Sequence, residues 1–470
     1  MRWRSLFILV LLAALAAGGW WSKGERARHG NEAFLRQRLA LLEAENGRLS
    51  GLLTAQQAKQ VLEEDGRLRR EIEKEVAGLR SLPFKRPVVY RQIPRSDLPA
   101  VLRKKLQQQV PDQEFADQGV ALAALGLLPE GTNLQKTYLG LLGEQVGAFY
   151  DQHTQELFTF SGQGLANSQN RVILAHELTH ALEDQNFQLA NLPLEARGND
   201  DRALAASALV EGDATLVMNQ YLVDRLSAAV LKDTLASTFT TDLRQLAAAP
   251  RFLRETLLFP YLSGQVFCQA LSAQGGWDSL AGAFRQPPSC TAHILHPERF
   301  LAQPRWEPVE IRYENRARAG ARPVADNVLG EFGVRQWLQV GGQDAGTAAD
   351  IARGWEGDRY VVYHEGKASS ALWVTLWGTP EAAHRFAQTA WEGWTARYHL
   401  KANPPAISSP PPDGGRRPPL FLDRLADGRE LRVFLHDKTV ALFDAQDARW
   451  LEDLQNVTYS TNEERRKTDP

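Results

Sequence analysis

Apolar and polar positions change period several times along the chain. Leu6 to Trp21 (LFILVLLAALAAGGWW) is apolar with no polar face, and Arg2 and Arg4 precede it. That is the charged and apolar pairing of an export signal. Ala14-Leu15-Ala16 offers a cleavage site; an uncleaved anchor with Trp20 and Trp21 at the membrane interface is the alternative. Residues 1–22 are therefore expected to direct the rest of the chain out of the cytoplasm, tethered or released. Leu35, Leu39, Leu42, Asn46, Leu49 and Leu53 then recur at alternating spacings of four and three, a coiled-coil seam with one polar residue of the kind that fixes register in dimers. Gly47 and Gly51 each cost about 1 kcal/mol of helix propensity. A homodimer through this stalk and a solvated monomeric spacer both remain open over 23–67. A second helical stretch over 61–82 places Leu68, Ile72, Val76 and Leu79 on one face, and Pro83 ends it.

Between 84 and 302 the periods alternate. PVVYRQI (87–93) reads as a strand, and Ser96 as the N-cap of a helix through Leu106. Helices are expected near 114–126 and 134–143, separated by Pro129-Glu130-Gly131. GAFYDQHTQELFTF reads as a hairpin with arms at 148–150 and 156–160. RVILAHELTHALEDQNF contains neither Gly nor Pro and has helical apolar spacing, so a half-buried helix is expected. Another helix spans about 202–223, and two more flank Gly275-Gly276-Trp277. Beyond 303, Glu331–Val340 reads as a helix, RYVVYHEG and ASSALWVTLWGT as strands, TPEAAHRFAQTAWEGW as a helix opened by Thr379-Pro380, and ELRVFLHDKTVALFDA as a hairpin. A proline-rich loop over 404–419 and a last helix over 446–455 complete it. Trp355 to Tyr360 reads as a structural turn. The expected fold is α+β and mostly helical: a helical domain over 68–302 and a ββαββα-like layer over 303–470.

The 470 residues carry 54 basic and 56 acidic side chains. That balance argues against a dedicated nucleic-acid binder. Cys268 and Cys290 are too few for a disulfide scaffold, but outside the cytoplasm one disulfide between them is chemically open. With ten histidines in all, two at ligand spacing carry information.

His176 and His180 are i and i+4 on the expected helix, so their imidazoles can converge on one ion at about 2.0–2.1 Å. Glu177 is displaced around the helix and can face a metal-bound water without ligating, which is the HExxH pattern of zinc peptidases. By chance that pattern arises in roughly one chain per hundred of this length. A third ligand adds weight: Glu211, in ASALVEGDATLVMNQY, is a carboxylate within an apolar helical run, costly there unless paired or bound to a cation. Three protein ligands leave a catalytic zinc one open corner. Zinc lowers the pKa of bound water from about 15.7 to about 7, and Glu177 can accept that proton and pass it to the leaving amine. Asp213 or Asp184 can orient a ligand imidazole, and His296 can donate to the oxyanion. The hairpin before the motif offers an edge to an extended peptide.

SLPFKRPV, LGLLPEGT, EQVGAFYD, AHELTHALEDQNF, ALVEGDAT, FPY, GGW and ILHPERF, in that order, resemble a group of poorly characterised bacterial and archaeal zinc metallopeptidases of gluzincin type. The resemblance covers about 68–302. It implies one zinc per chain on His176, His180 and Glu211, with Glu177 as acid/base, and it implies no particular substrate. The chain departs from the group's pattern over Cys290–His293, which leaves room for a private Cys268–Cys290 bridge. The expected function is an exported zinc peptidase acting on peptides or proteins. A non-catalytic envelope scaffold or peptide-binding protein on the same fold is the competing reading, and hydrolysis of non-peptide amides is a third.

Overall fold

The structure, a computed structural model, describes residues 55–145, 147–162, 164–225, 244–313, 323–366, 368–400, 419–446 and 459–461. The signal segment, the leucine seam, the proline-rich loop and the expected last helix lie outside the described residues. Among those described, no helix is long and apolar enough to cross a membrane.

The molecule is α+β and mostly helical. Helix α1 (Ala55–Arg80) runs past the expected start of the second helical stretch, with Ile72 and Val76 buried and Leu68 and Leu79 packed beside them. Strand β1 (Val89–Ile93) follows. Ser96 does not cap the next helix: it sits in a 3-10 turn over Arg95–Asp97, and α2 (Leu98–Gln109) starts with proline in its first turn, where a missing N–H costs nothing. Helices α3 (Asp112–Ala124) and α4 (Leu134–Gln145) lead to the hairpin β2 (Ala148–Asp151) and β3 (Glu156–Phe160). Strand β3 is central, antiparallel to β2 and parallel to β1, so β2 is an edge.

Among the described residues, four helices form the middle of the chain: α5 (Ser168–Phe187), α6 (Asp200–Arg225), α7 (Arg244–Ala248) and α8 (Arg251–Arg285). Asn167 caps α5 by accepting from the Gln169 N–H at 2.9 Å. From Val172 to Gln185 every residue of α5 is buried, not half-buried as its pattern suggested. Helix α8 breaks its helical torsions at Gly275 and Gly276, where two helices were expected. Short helices α9 (Thr291–Leu295) and α10 (Pro297–Leu301) follow.

The carboxy-terminal part contains β4 (Ile311–Tyr313), β5 (Pro323–Asn327), α11 (Gly330–Val340), α12 (Ala345–Ala352), β6 (Trp355–Glu365), β7 (Ala368–Trp377), α13 (Pro380–Tyr398), β8 (Phe421–Arg424), β9 (Glu430–His436), β10 (Thr439–Ala445) and β11 (Tyr459–Thr461). Six strands make an antiparallel sheet in the order β5-β6-β7-β10-β9-β8, and β4 pairs with β11. Trp355–Tyr360 is therefore strand, not turn. Asp358 in it accepts from the backbone N–H groups of Leu329 and Gly330 and from the indoles of Trp355 and Trp373, all at 2.9–3.0 Å. A buried carboxylate with four donors is satisfied within a strand. Helix α12, two edge strands and the small ribbon carry too few periodic positions to announce themselves.

One apolar cluster joins Leu98, Leu122 and Tyr138 to Trp337, Trp373 and Phe386. The core thus runs across the expected boundary at residue 302.

Candidate metal centre

Helix α5 is enclosed by α1, α6 and β2. It brings His176 and His180 inward one turn apart. Helix α6 supplies Glu211, and its position depends on small residues. A Cβ built on Gly212 would lie 2.3 Å from the Gly264 backbone of α8, and one on Gly264 would lie 2.1 Å from the Ala208 carbonyl oxygen. The two helices touch backbone to backbone directly beside Glu211.

Three donor atoms converge. His176 Nε2 lies 3.2 Å from Glu211 Oε2, His180 Nε2 lies 3.3 Å from the same oxygen, and the two Nε2 atoms are 3.0 Å apart. A tetrahedral ion with bonds of about 2.0–2.1 Å spaces its ligands by about 3.3–3.4 Å. The trio fits a cation with a fourth corner left for a non-protein ligand. His176, His180 and Glu211 are 1 %, 1 % and 2 % exposed, and Glu177 is 0 % exposed. Burial holds His176 down to about 4. Burial also opposes charge on His180, but the Glu211 and Glu183 carboxylates outweigh it and raise that imidazole. Glu211 is depressed by the adjoining His180 charge and by hydrogen bonds from both rings, against the pull of burial.

Glu177 does not join the trio. Its Oε2 accepts from the Tyr150 N–H of β2 at 2.7 Å, and its Oε1 has no hydrogen-bond partner. Burial raises this carboxyl to about 8.

The residues expected to support the ligands are placed differently. Asp184 accepts from the Tyr150 hydroxyl at 2.8 Å, Gln155 at 3.2 Å and the Leu189 N–H at 3.0 Å, so it fastens the hairpin to α5 and touches neither imidazole. Asp213 pairs with Arg80 at 2.7 Å. The carboxylate that touches one of the two imidazoles is Glu183, whose Oε2 lies 2.9 Å from His180 Nδ1. Its i+3 spacing from His180 was the available signal, and the sequence reading considered only Asp184 and Asp213 for that part. His296 lies between α9 and α10, with Nε2 at 2.6 Å from Glu331 of α11. That pairing puts it in the contact with the carboxy-terminal half, not among the converging donors. Cys268 and Cys290 are both free and buried, so the bridge that the sequence left open between them is not formed. Cys268 donates to the Leu209 carbonyl at 3.5 Å on the α6–α8 contact, and Cys290 belongs to the larger core.

Residues 317–455 match the model of a domain of unknown function, DUF8575. No curated protein and no solved structure matches the chain. The DUF8575 segment covers β5 to β10 and begins well after Glu211, so the converging trio His176, His180 and Glu211 lies outside it. What DUF8575 contributes to the neighbourhood is a brace. Asp201, at the start of α6, accepts from the Thr291 N–H at 3.0 Å, and the Phe332 N–H of α11 donates to Thr291 Oγ1 at 3.1 Å.

Proposed function

We propose that this chain is a zinc-dependent hydrolase of peptide bonds, with His176, His180 and Glu211 holding the ion in a gluzincin-like arrangement. The observation that carries the reading is the convergence of three donor atoms from two helices, with a fourth side chain, Glu177, beside them and one of its oxygens uncommitted. A zinc ion bound there supplies Lewis acidity to a carbonyl and to a water. The chain's own residues do the rest. The Tyr150 N–H fixes Glu177 Oε2, so Oε1 is the atom that takes a proton from the attacking water and returns it to the departing amine nitrogen. The buried surroundings exclude bulk water, which strengthens each electrostatic contact.

Glu177→Gln tests this. The variant should keep one zinc per chain and lose about 10²–10⁴-fold in turnover of a quenched peptide library. Undiminished turnover, or no zinc taken up by the wild-type protein, overturns the reading. The near-complete burial of all four residues favours a second reading, a zinc-braced scaffold that binds peptide without cutting it. A peptide that stays bound and intact over hours on the zinc-loaded protein selects that one.

A further inference from the structure

Tyr150 stands on the edge strand β2 and is buried there, and it makes two separate bonds to α5. Its main-chain N–H donates to Glu177 Oε2 at 2.7 Å, and its hydroxyl donates to Asp184 Oδ2 at 2.8 Å. Glu177 and Asp184 are seven residues apart, so a single residue of β2 bridges two turns, about 10 Å of helix. Asp184 is itself fixed. Its Oδ1 accepts from the Leu189 N–H at 3.0 Å, and its Oδ2 accepts also from Gln155 at 3.2 Å. On the other side of the hairpin, Lys105 of α2 pairs with Asp151, the residue after Tyr150. The same ammonium lies 5.4 Å from the Phe149 ring centroid and 4.8 Å from that of Phe158. Among the described residues no second donor reaches Glu177.

We infer that Tyr150, anchored through its hydroxyl on Asp184, is the positioning residue for Glu177. This role rests on the zinc-hydrolase reading above and deepens it. The anchor fixes the phenol against α5, and the phenol fixes where the Tyr150 N–H points. Glu177 Oε2 is thereby held, and Oε1 is left for the attacking water. Without the anchor, β2 is free to shift against α5, and the one donor that orients Glu177 shifts with it. A displacement of about 1 Å at a reacting group costs up to about 10²-fold in rate. Asp184, expected to orient an imidazole, acts on the base instead.

The test is steady-state cleavage of one peptide from the quenched library by the zinc-loaded full chain. Circular dichroism checks folding, and competition with a chromophoric chelator reads zinc affinity. Tyr150→Phe removes only the hydroxyl. Its kcat should fall about 10–100-fold, while KM and zinc affinity keep their wild-type values. Added to Glu177→Gln, the same change should lower the residual turnover no further, because its effect passes through Glu177. A folded Tyr150→Phe protein with wild-type kcat overturns the proposal. So does a loss that appears in zinc affinity, or one that multiplies on the Glu177→Gln background. If Tyr150→Phe does not fold, Asp184→Asn takes its place, since it keeps the side chain's size but exchanges one accepting oxygen for a donor. A lower kcat at unchanged KM and zinc affinity is expected of it, and wild-type kcat overturns the proposal. A wild-type chain that takes up no zinc, or cleaves no peptide, instead overturns the reading beneath.

Discussion

Polar residues along α5 are buried together, and each contact there has a distinct job. Thr179 returns its hydroxyl to the Ala175 carbonyl at 2.8 Å, Gln185 accepts from the Lys85 and Arg86 N–H groups, and Asp184 holds the hairpin. Unmade, such contacts cost about 1–3 kcal/mol each. Asp201 is a different case. Burial moves its carboxyl from the usual 3.8 up to about 8, against hydrogen bonds from Thr291. A folded-state value above the unfolded one means that the native protein keeps a proton which the unfolded chain has shed. Asp201 therefore costs stability progressively as pH rises between about 4 and about 8, by at most about 1.4 kcal/mol per pH unit. Asp201→Asn keeps an acceptor for Thr291 without the ionisation. Its urea midpoint should fall less than that of the wild type between pH 5 and pH 8, and parallel curves would show that Asp201 does not titrate there. The HExxH residues and Glu211 were legible at this scale because their spacing and apolar setting are local properties. The partner of Asp213 was not, since Arg80 and Asp213 are 133 positions apart and nothing local joins them; Glu183, three residues beyond His180, carried a local signal that was passed over.

At the scale of elements, the decisive contact is the crossing of α6 and α8. The alanines of α6 (Ala203, Ala205, Ala206, Ala208) and the glycine pair Gly212 and Gly264 let the backbones meet. A methyl group at Gly212 has no space, and the obstacle is main chain, which cannot swing aside. Gly212→Ala should cost about 1–3 kcal/mol, read as a lower urea midpoint, and should weaken zinc uptake because Glu211 is the neighbouring residue. A variant as stable as the wild type would mean that the helices can separate freely. The long elements α5, α6, α8, α13 and the hairpins were readable from period alone, and Thr379 caps α13 as its sequence suggested, accepting from the Ala382 N–H at 3.1 Å. The errors lie where pairing decides. The Trp355–Tyr360 segment becomes strand because it lies against β5 and β7. Ser96 loses its capping role because proline two positions after Asp97 sets the start of α2.

The whole molecule is drawn together by tryptophans. Trp337 of α11 donates its indole N–H to the Leu125 carbonyl at 2.8 Å and stacks edge-on to Trp373, so the DUF8575 part fills the same core as α2 to α4. Sequence reasoning could divide the chain by composition at 302, but a core shared across that division is visible only once distant segments meet. The two cysteines follow from this. Cys290 lies in the shared core and Cys268 in the separate cluster around α6 and α8, and burial raises both thiols well above their ordinary range. Neither can be alkylated while its surroundings stay shut. Iodoacetamide labelling with peptide mapping should therefore behave as a pair of clocks. Slow capture of both sulfurs, accelerating in step with global unfolding in urea, is expected of a single cooperative body. Capture of Cys268 well before Cys290 would mean that the helices around His176, His180 and Glu211 breathe apart while the tryptophan core still holds.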